Sequence, residues 1–304
     1  MFKGYNSNLI ELAVFVVFTI FRIYALLNSY GLYIFVLLTL LETVFSFIFL
    51  LFWYQYLTKD ILKWTPSLSK IKYLISKSYP LILSGFAVIL YMRMDQILIG
   101  RMIGKKELGI YSSALRFSEI MYTIPIIIMS TIFPKLINLK KENLENYTLY
   151  FKNVLKALTI ISFFIIIAIT ISSNFIFQFF YGHAYIEGSL ILKIHIWTST
   201  FVFLGIAGSK WYLTENLQKL IIIQTCIGAV LNLFFNLILI PKFGIAGSAF
   251  STLFAQVLST YLFDLLYKET RILFIIKSQA IYYCIPWFFN YSIKLFKKTV
   301  IKYK

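Results

Sequence analysis

Apolar residues run through this chain in long blocks, and short polar stretches rich in lysine separate them. A membrane-spanning helix needs about 20 mostly apolar residues, because each residue advances about 1.5 Å through a hydrocarbon core about 30 Å thick. On that rule the blocks predict spans at 9–27, 31–56, 79–101, 112–134, 154–177, 187–213, 218–240 and 245–267. A further block at 279–296 is aromatic and interrupted by Pro286. It reads as a short ninth span or as a helix lying in the interface, and the interfacial reading is preferred. The expected fold class is an all-α polytopic membrane protein of about eight transmembrane helices.

Composition agrees with this pattern. The 304 residues are 60% hydrophobic, 19% aromatic and 13% charged, with a mean hydropathy of +0.81, whereas soluble domains carry about 25% charged residues. The net charge of +17 raises the question of nucleic acid. The lysines sit in loops between apolar blocks, not in a basic groove interleaved with aromatics, which excludes a nucleic-acid partner.

The same lysines set the orientation. Loops 57–78 and 135–156, with Lys210, Lys219, Lys268, Arg271 and Lys277, place fifteen basic residues on one side. Arg101, Lys105, Lys106, Lys193 and Lys242 place five on the other. The first side is therefore expected in the cytoplasm, with both termini there and the chain in the plasma (inner) membrane.

No removable signal peptide is expected, since residues 1–8 are polar and the next block lacks a small-residue cleavage site. Cys226 and Cys284 share no metal-ligand or redox spacing and read as small hydrophobes, so no metal site is expected. The chain has no P-loop, HExxH, CxxC pair or nucleophile elbow, which argues against an enzyme and against ATP hydrolysis.

The charges inside the spans carry the candidate chemistry, because each costs about 2.5–3.5 kcal/mol at a helix centre. Arg22, Arg93, Asp95, Arg116 and Glu119 fall at a similar depth in the outer half, on three different helices, and Glu42 lies nearer the midplane. One reading is a water-filled vestibule lined by the three arginines, with Asp95 and Glu119 as their partners and Asp95 or Glu42 taking up a proton or ion. The other has Arg22, Arg101 and Arg116 snorkelling to the interface and Arg116–Glu119 as a helix ion pair. Arg93 and Asp95 favour the cavity, since a short aspartate cannot snorkel far; Glu42 favours helix packing. His183 and His195 read as interfacial residues. Asp264 reads as an i,i+4 partner of Lys268. Asn232 and Asn236 share one helix face and read first as interhelical hydrogen-bonding groups.

The order of several motifs carries a resemblance. Pro80 to Ser84, then Tyr91-x-Arg93-x-Asp95-Gln96-Ile97, then Gly109-x-Tyr111-Ser112-x-Ala114-x-Arg116 are similar to the seventh and eighth helices of polysaccharide-type flippases. These belong to the multidrug/oligosaccharidyl-lipid/polysaccharide exporter superfamily. Asn232-x-x-x-Asn236 followed by Pro241-Lys-Phe-Gly244-Ile-Ala-Gly247-Ser-Ala249 extends the match, which runs from about residue 9 to 277.

The resemblance implies a MATE-like fold, two six-helix bundles around a central cavity. On that scheme residues 1–57 are the last two helices of the first bundle and 58–78 a cytoplasmic linker. Residues 79–268 are the complete second bundle, and 269–304 a basic cytoplasmic or interfacial tail. Four helices of the family pattern are then lacking, and N-terminal truncation is the expected reason.

The implied function is the flipping of polyprenyl-diphosphate-linked oligosaccharide for O-antigen, capsule or a related surface polysaccharide. Membrane lipids surround the chain, and the polymerase and glycosyltransferases of the pathway are its expected partners. The implied substrate suits arginine forks, which match phosphate oxygens. No cofactor is expected beyond coupling H+ or Na+. The alternatives are a cation-coupled drug exporter, a lipid II flippase of the same superfamily, or an inactive fragment or assembly subunit. A membrane glycosyltransferase or polymerase is disfavoured, since the longest outer loop is about ten residues.

Overall fold

The computed structural model describes residues 4–58, 67–76 and 93–284, and all regular structure among them is helical. The chain divides into two compact units, Met1–Ile82 and Leu83–Lys304.

In the first unit, α1 (Gly4–Leu27) and α2 (Leu32–Thr58) form a helical hairpin, and a short exposed helix α3 follows over 68–76. Ser29 adopts a φ of 54° in the connecting turn. Val14, Phe18 and Ala25 form the buried face of α1, with the Phe18 ring 5.7 Å from that of Phe45 on α2. The remaining faces expose large apolar side chains such as Phe15, Ile20, Phe47 and Phe52. A helix that is apolar all round, with its backbone satisfied internally, is suited to lipid.

The second unit contains α4 (Met94–Met102), α5 (Lys105–Met121), α6 (Thr123–Glu142), α7 (Leu144–Phe180), α8 (Gly188–His195), α9 (Thr198–Thr214) and α10 (Gln218–Gln256). A π-turn (Val257–Tyr261), two 3-10 turns (Leu262–Leu265 and Lys268–Thr270) and a helix α11 over 271–284 complete it. Pro125 sits in the first turn of α6, where its missing N–H is tolerated, and this separates α6 from α5 at Tyr122. Asn143 caps α7, its Oδ1 accepting from the amides of Glu145 (2.8 Å) and Asn146 (3.0 Å).

Six stretches among the described residues are long and apolar enough to span a membrane: Leu9–Leu27, Leu32–Leu57, Lys105–Glu142, Leu144–Phe180, Gly188–Thr214 and Gln218–Leu265. The last is two passes. At Gly244 the backbone adopts φ 59°, ψ −140°, and a Cβ on Gly247 would stand 2.2 Å from the Leu239 carbonyl oxygen. The chain folds back there, which glycine alone permits at both positions. The span expected at 154–177 falls inside the longer α7, whereas that at 112–134 is divided between α5 and α6 at Tyr122 and that at 187–213 between α8 and α9 at Ile196 and Trp197. The span at 79–101 is described from Arg93 onward, so Pro80–Ser84 and Tyr91 lie outside the described residues. The block at 279–296 is described as far as Cys284, and α11 packs into the bundle through Leu273, Ile276 and Ala280.

The core of this unit has two parts. One gathers Leu136, Phe151, Leu155, Phe203, Phe263 and Leu273 near the α6–α7 and α9–α10 turns. The other gathers Ile99, Leu115, Phe177, Leu192 and Ile240 near the α4–α5 and α7–α8 turns and the Gly244 reversal. Polar side chains occupy the layer between them.

Candidate functional site

The polar layer begins with a seam inside α10. Gln224, Gly228, Asn232, Asn236 and Ile240 are buried, one every fourth residue and so on one face. Asn232 Nδ2 donates to Thr252 Oγ1 (3.2 Å), and Ser248 Oγ donates to Asn236 Oδ1 (2.8 Å). Asn236 Nδ2 donates to Asn232 Oδ1 (3.0 Å), and Gln224 Nε2 donates to the Ser259 carbonyl (2.8 Å). The asparagines thus hold the two halves of the hairpin together, which is the interhelical role their spacing implies.

Asp95 faces this seam from α4. It is 5% exposed, accepts from the Tyr111 hydroxyl (2.5 Å) and from the Gln96 amide (2.8 Å), and lines a cavity of about 80 Å³. Glu119, Tyr122, His195, Thr198, Asn232, Thr252 and Gln256 share the wall. Arg93 Nη1 pairs with Glu119 Oε1 at 3.2 Å. The described charges of the site are therefore two carboxylates against one guanidinium. Thr198 Oγ1 and Tyr122 Oη are buried and find no hydrogen-bond partner among the described residues. Buried hydroxyls without a protein partner need water or a ligand.

The predicted site residues separate into two groups. Arg93, Asp95 and Glu119 come together, with Glu119 pairing Arg93 and not Arg116. Arg116 is exposed and has no ion pair among the described residues. Arg22 belongs to the first unit, where it pairs with Glu42 and donates to Thr39 Oγ1 (3.3 Å), so Glu42 there serves helix packing. His195 is not interfacial. It is 2% exposed, and its Nδ1 lies 2.8 Å from Ser118 Oγ between α5 and α8.

A second buried charge lies at the other end of the unit. Asp264 and Lys277 are both fully buried and form an ion pair at 2.7 Å. The Tyr212 hydroxyl donates to Asp264, and Lys277 Nζ donates to the Thr260 carbonyl (2.7 Å). The sequence spacing instead points Asp264 to Lys268. The helix ends before that residue, Tyr267 is extended, and Lys268 is exposed. The signal present in the sequence is Lys277 itself, a lone lysine in an apolar block.

A helical, lipid-compatible chain with a buried polar layer and unmatched carboxylate is a multi-pass membrane protein. The family model of the polysaccharide biosynthesis proteins matches residues 5–190, and the chain belongs to that family. The fold is similar to a solved structure of lipid II flippase MurJ in an inward closed conformation, with a TM-score of 0.62 and 16% identity. The match covers 82% of this chain and 54% of that one, so the chain spans about half the length of the flippase. No curated protein sequence matches the chain.

Proposed function

We propose that the chain takes part in flipping lipid-linked oligosaccharide, carried on polyprenyl diphosphate, across the plasma (inner) membrane for O-antigen, capsule or a related surface polysaccharide. The family and the likeness of the fold to a lipid flippase support this reading. The observation that carries it is the buried cavity at Asp95, with one carboxylate in excess and two hydroxyls unpartnered. A charge with no fixed partner deep in a spanning bundle marks an ion or substrate path.

In this reading Asp95 takes a proton or a small cation, held also by the Asn232 and Thr252 oxygens, and this event drives the change of state. Arg93, 48% exposed and paired with Glu119, is the group placed to exchange its partner for a diphosphate. Arg116, exposed and without an ion pair among the described residues, is the second candidate for that contact, and Arg22 would contribute only on leaving Glu42. The lysine asymmetry supports cytoplasmic termini.

Lipid II is the second reading, favoured by the likeness of the fold to a lipid II flippase. Lipid extracts of a deletion strain test both. Accumulated polyprenyl-diphosphate repeat units with loss of surface glycan are expected. Accumulated lipid II selects the second reading, and a normal profile overturns both.

A further inference from the structure

The Asp95 cavity adjoins further space at Gln256. Val202 and Gln256 also wall a second cavity, of about 200 Å³, which continues between α9 and α10 toward the α9–α10 turn. Its other walls include Ser209, Gln224, Thr225, Ser259 and Thr260. A site holds water when it is polar and offers more than about 10–15 Å³ per molecule, and both cavities satisfy this.

The local backbone is shaped around this space. The π-turn Val257–Tyr261 forms its wall, and such turns concentrate at functional sites. Thr260 packs so closely on α9 that a Cβ at Gly205 would stand 3.0 Å from its Cγ2. Behind Thr260 stands Lys277, whose Nζ bonds the Thr260 carbonyl (2.7 Å) and would lie 2.9 Å from a Cβ at Gly208. A bare ammonium there would repel cations from the cavity. Asp264, at 2.7 Å, cancels it.

We propose that the two cavities form one water-filled inlet, by which a proton or small monovalent cation reaches Asp95 from the α9–α10 end. Val202 and Gln256 are its neck, and the Asp264–Lys277 pair keeps its inner half free of net positive charge. This rests on the reading of Asp95 as a cation site, but its test needs no transport. Single thiols are introduced as Ser209→Cys, Thr225→Cys or Thr198→Cys in a chain carrying Cys226→Ser and Cys284→Ala. Vesicles of each orientation are exposed to silver ion in chloride-free buffer, and the thiol left free is counted by maleimide after unfolding.

Thiols react as thiolates, which form where water is present, so Ser209→Cys and Thr225→Cys should react about ten-fold faster than native Cys226, exposed on the adjoining face of α10 and measured in a separate chain carrying Cys284→Ala alone. From the α9–α10 side, Gln256→Leu should slow Thr198→Cys and leave Ser209→Cys unchanged. Inner-cavity thiols as slow as Cys226 overturn the inlet. So does a Thr198→Cys rate that Gln256→Leu leaves unchanged. Loss of Asp95 function is read separately, by Asp95→Asn in export assays.

Discussion

Asp95 and Asp264 are both buried in the second unit, and each accepts a hydrogen bond from a tyrosine, Tyr111 and Tyr212 respectively. They differ in what stands on the other side. Asp264 faces a lysine 2.7 Å away, fully buried with it. Asp95 faces a cavity, and the nearest guanidinium, Arg93, is bonded to Glu119. Burial of a charge is costly in either setting, and the two sites meet the cost differently. At Asp264 the chain supplies the counter-charge, so the site is closed and structural. At Asp95, on the function proposed above, it comes from outside, so occupancy can change. The same residue type and the same tyrosine bond therefore belong to a fixed joint in one place and, in the proposed function, to an exchangeable site in the other.

The sharpest way to break the comparison is to strand one member of the closed pair. Asp264→Asn or Lys277→Met should each cost about 3–5 kcal/mol, seen as loss of monodisperse protein on size exclusion in detergent, and the double substitution should recover more than half. Gly208→Ala tests the same joint from behind, by pushing a methyl toward Lys277 Nζ, and should cost about 1–3 kcal/mol in thermal melts.

Asp95→Asn should behave in the opposite way. The amide oxygen still accepts from Tyr111, so stability should change by about 1 kcal/mol or less, while export of glycan in a complemented strain should be lost. Wild-type export by that variant and by Arg93→Ala would remove the open site from the mechanism. The smallest effect belongs to the half-exposed pair. Glu119→Gln should shift stability by about 0.2–1 kcal/mol, and Arg93→Lys should retain the pairing but transport less if a forked phosphate contact is used.

Much of the open site is legible in the sequence, because a charge or a pair of asparagines stands out in an apolar run. Asp95, Glu119, Asn232 and Asn236 are all visible in this way. The hairpin at Gly244 can be read from Pro241, Lys242 and two glycines. The wall residues Tyr122, Thr198 and Thr252 cannot, since isolated hydroxyl residues are common in spanning helices and their meeting depends on three-dimensional packing. The closed pair is hidden for a local reason. A partner four residues along is available only if the helix continues, and here it tightens into 3-10 turns before Lys268. His195 misleads likewise, because a histidine near a span end and a lysine resembles an interfacial residue until Ser118 of another helix is placed against it.

The π-turn at Val257–Tyr261 makes the reading frame of this helix a matter of phase. Such a turn holds one residue more than a regular helical turn. Deleting a single residue there would restore an even spiral and rotate everything after it by about 100°. Asp264 would swing off Lys277, and α11 would lose its anchor, although no side chain in the pair had been altered. In this segment the length of the chain is as much a determinant as its chemistry, and a one-residue gap should be tolerated far less well than most substitutions.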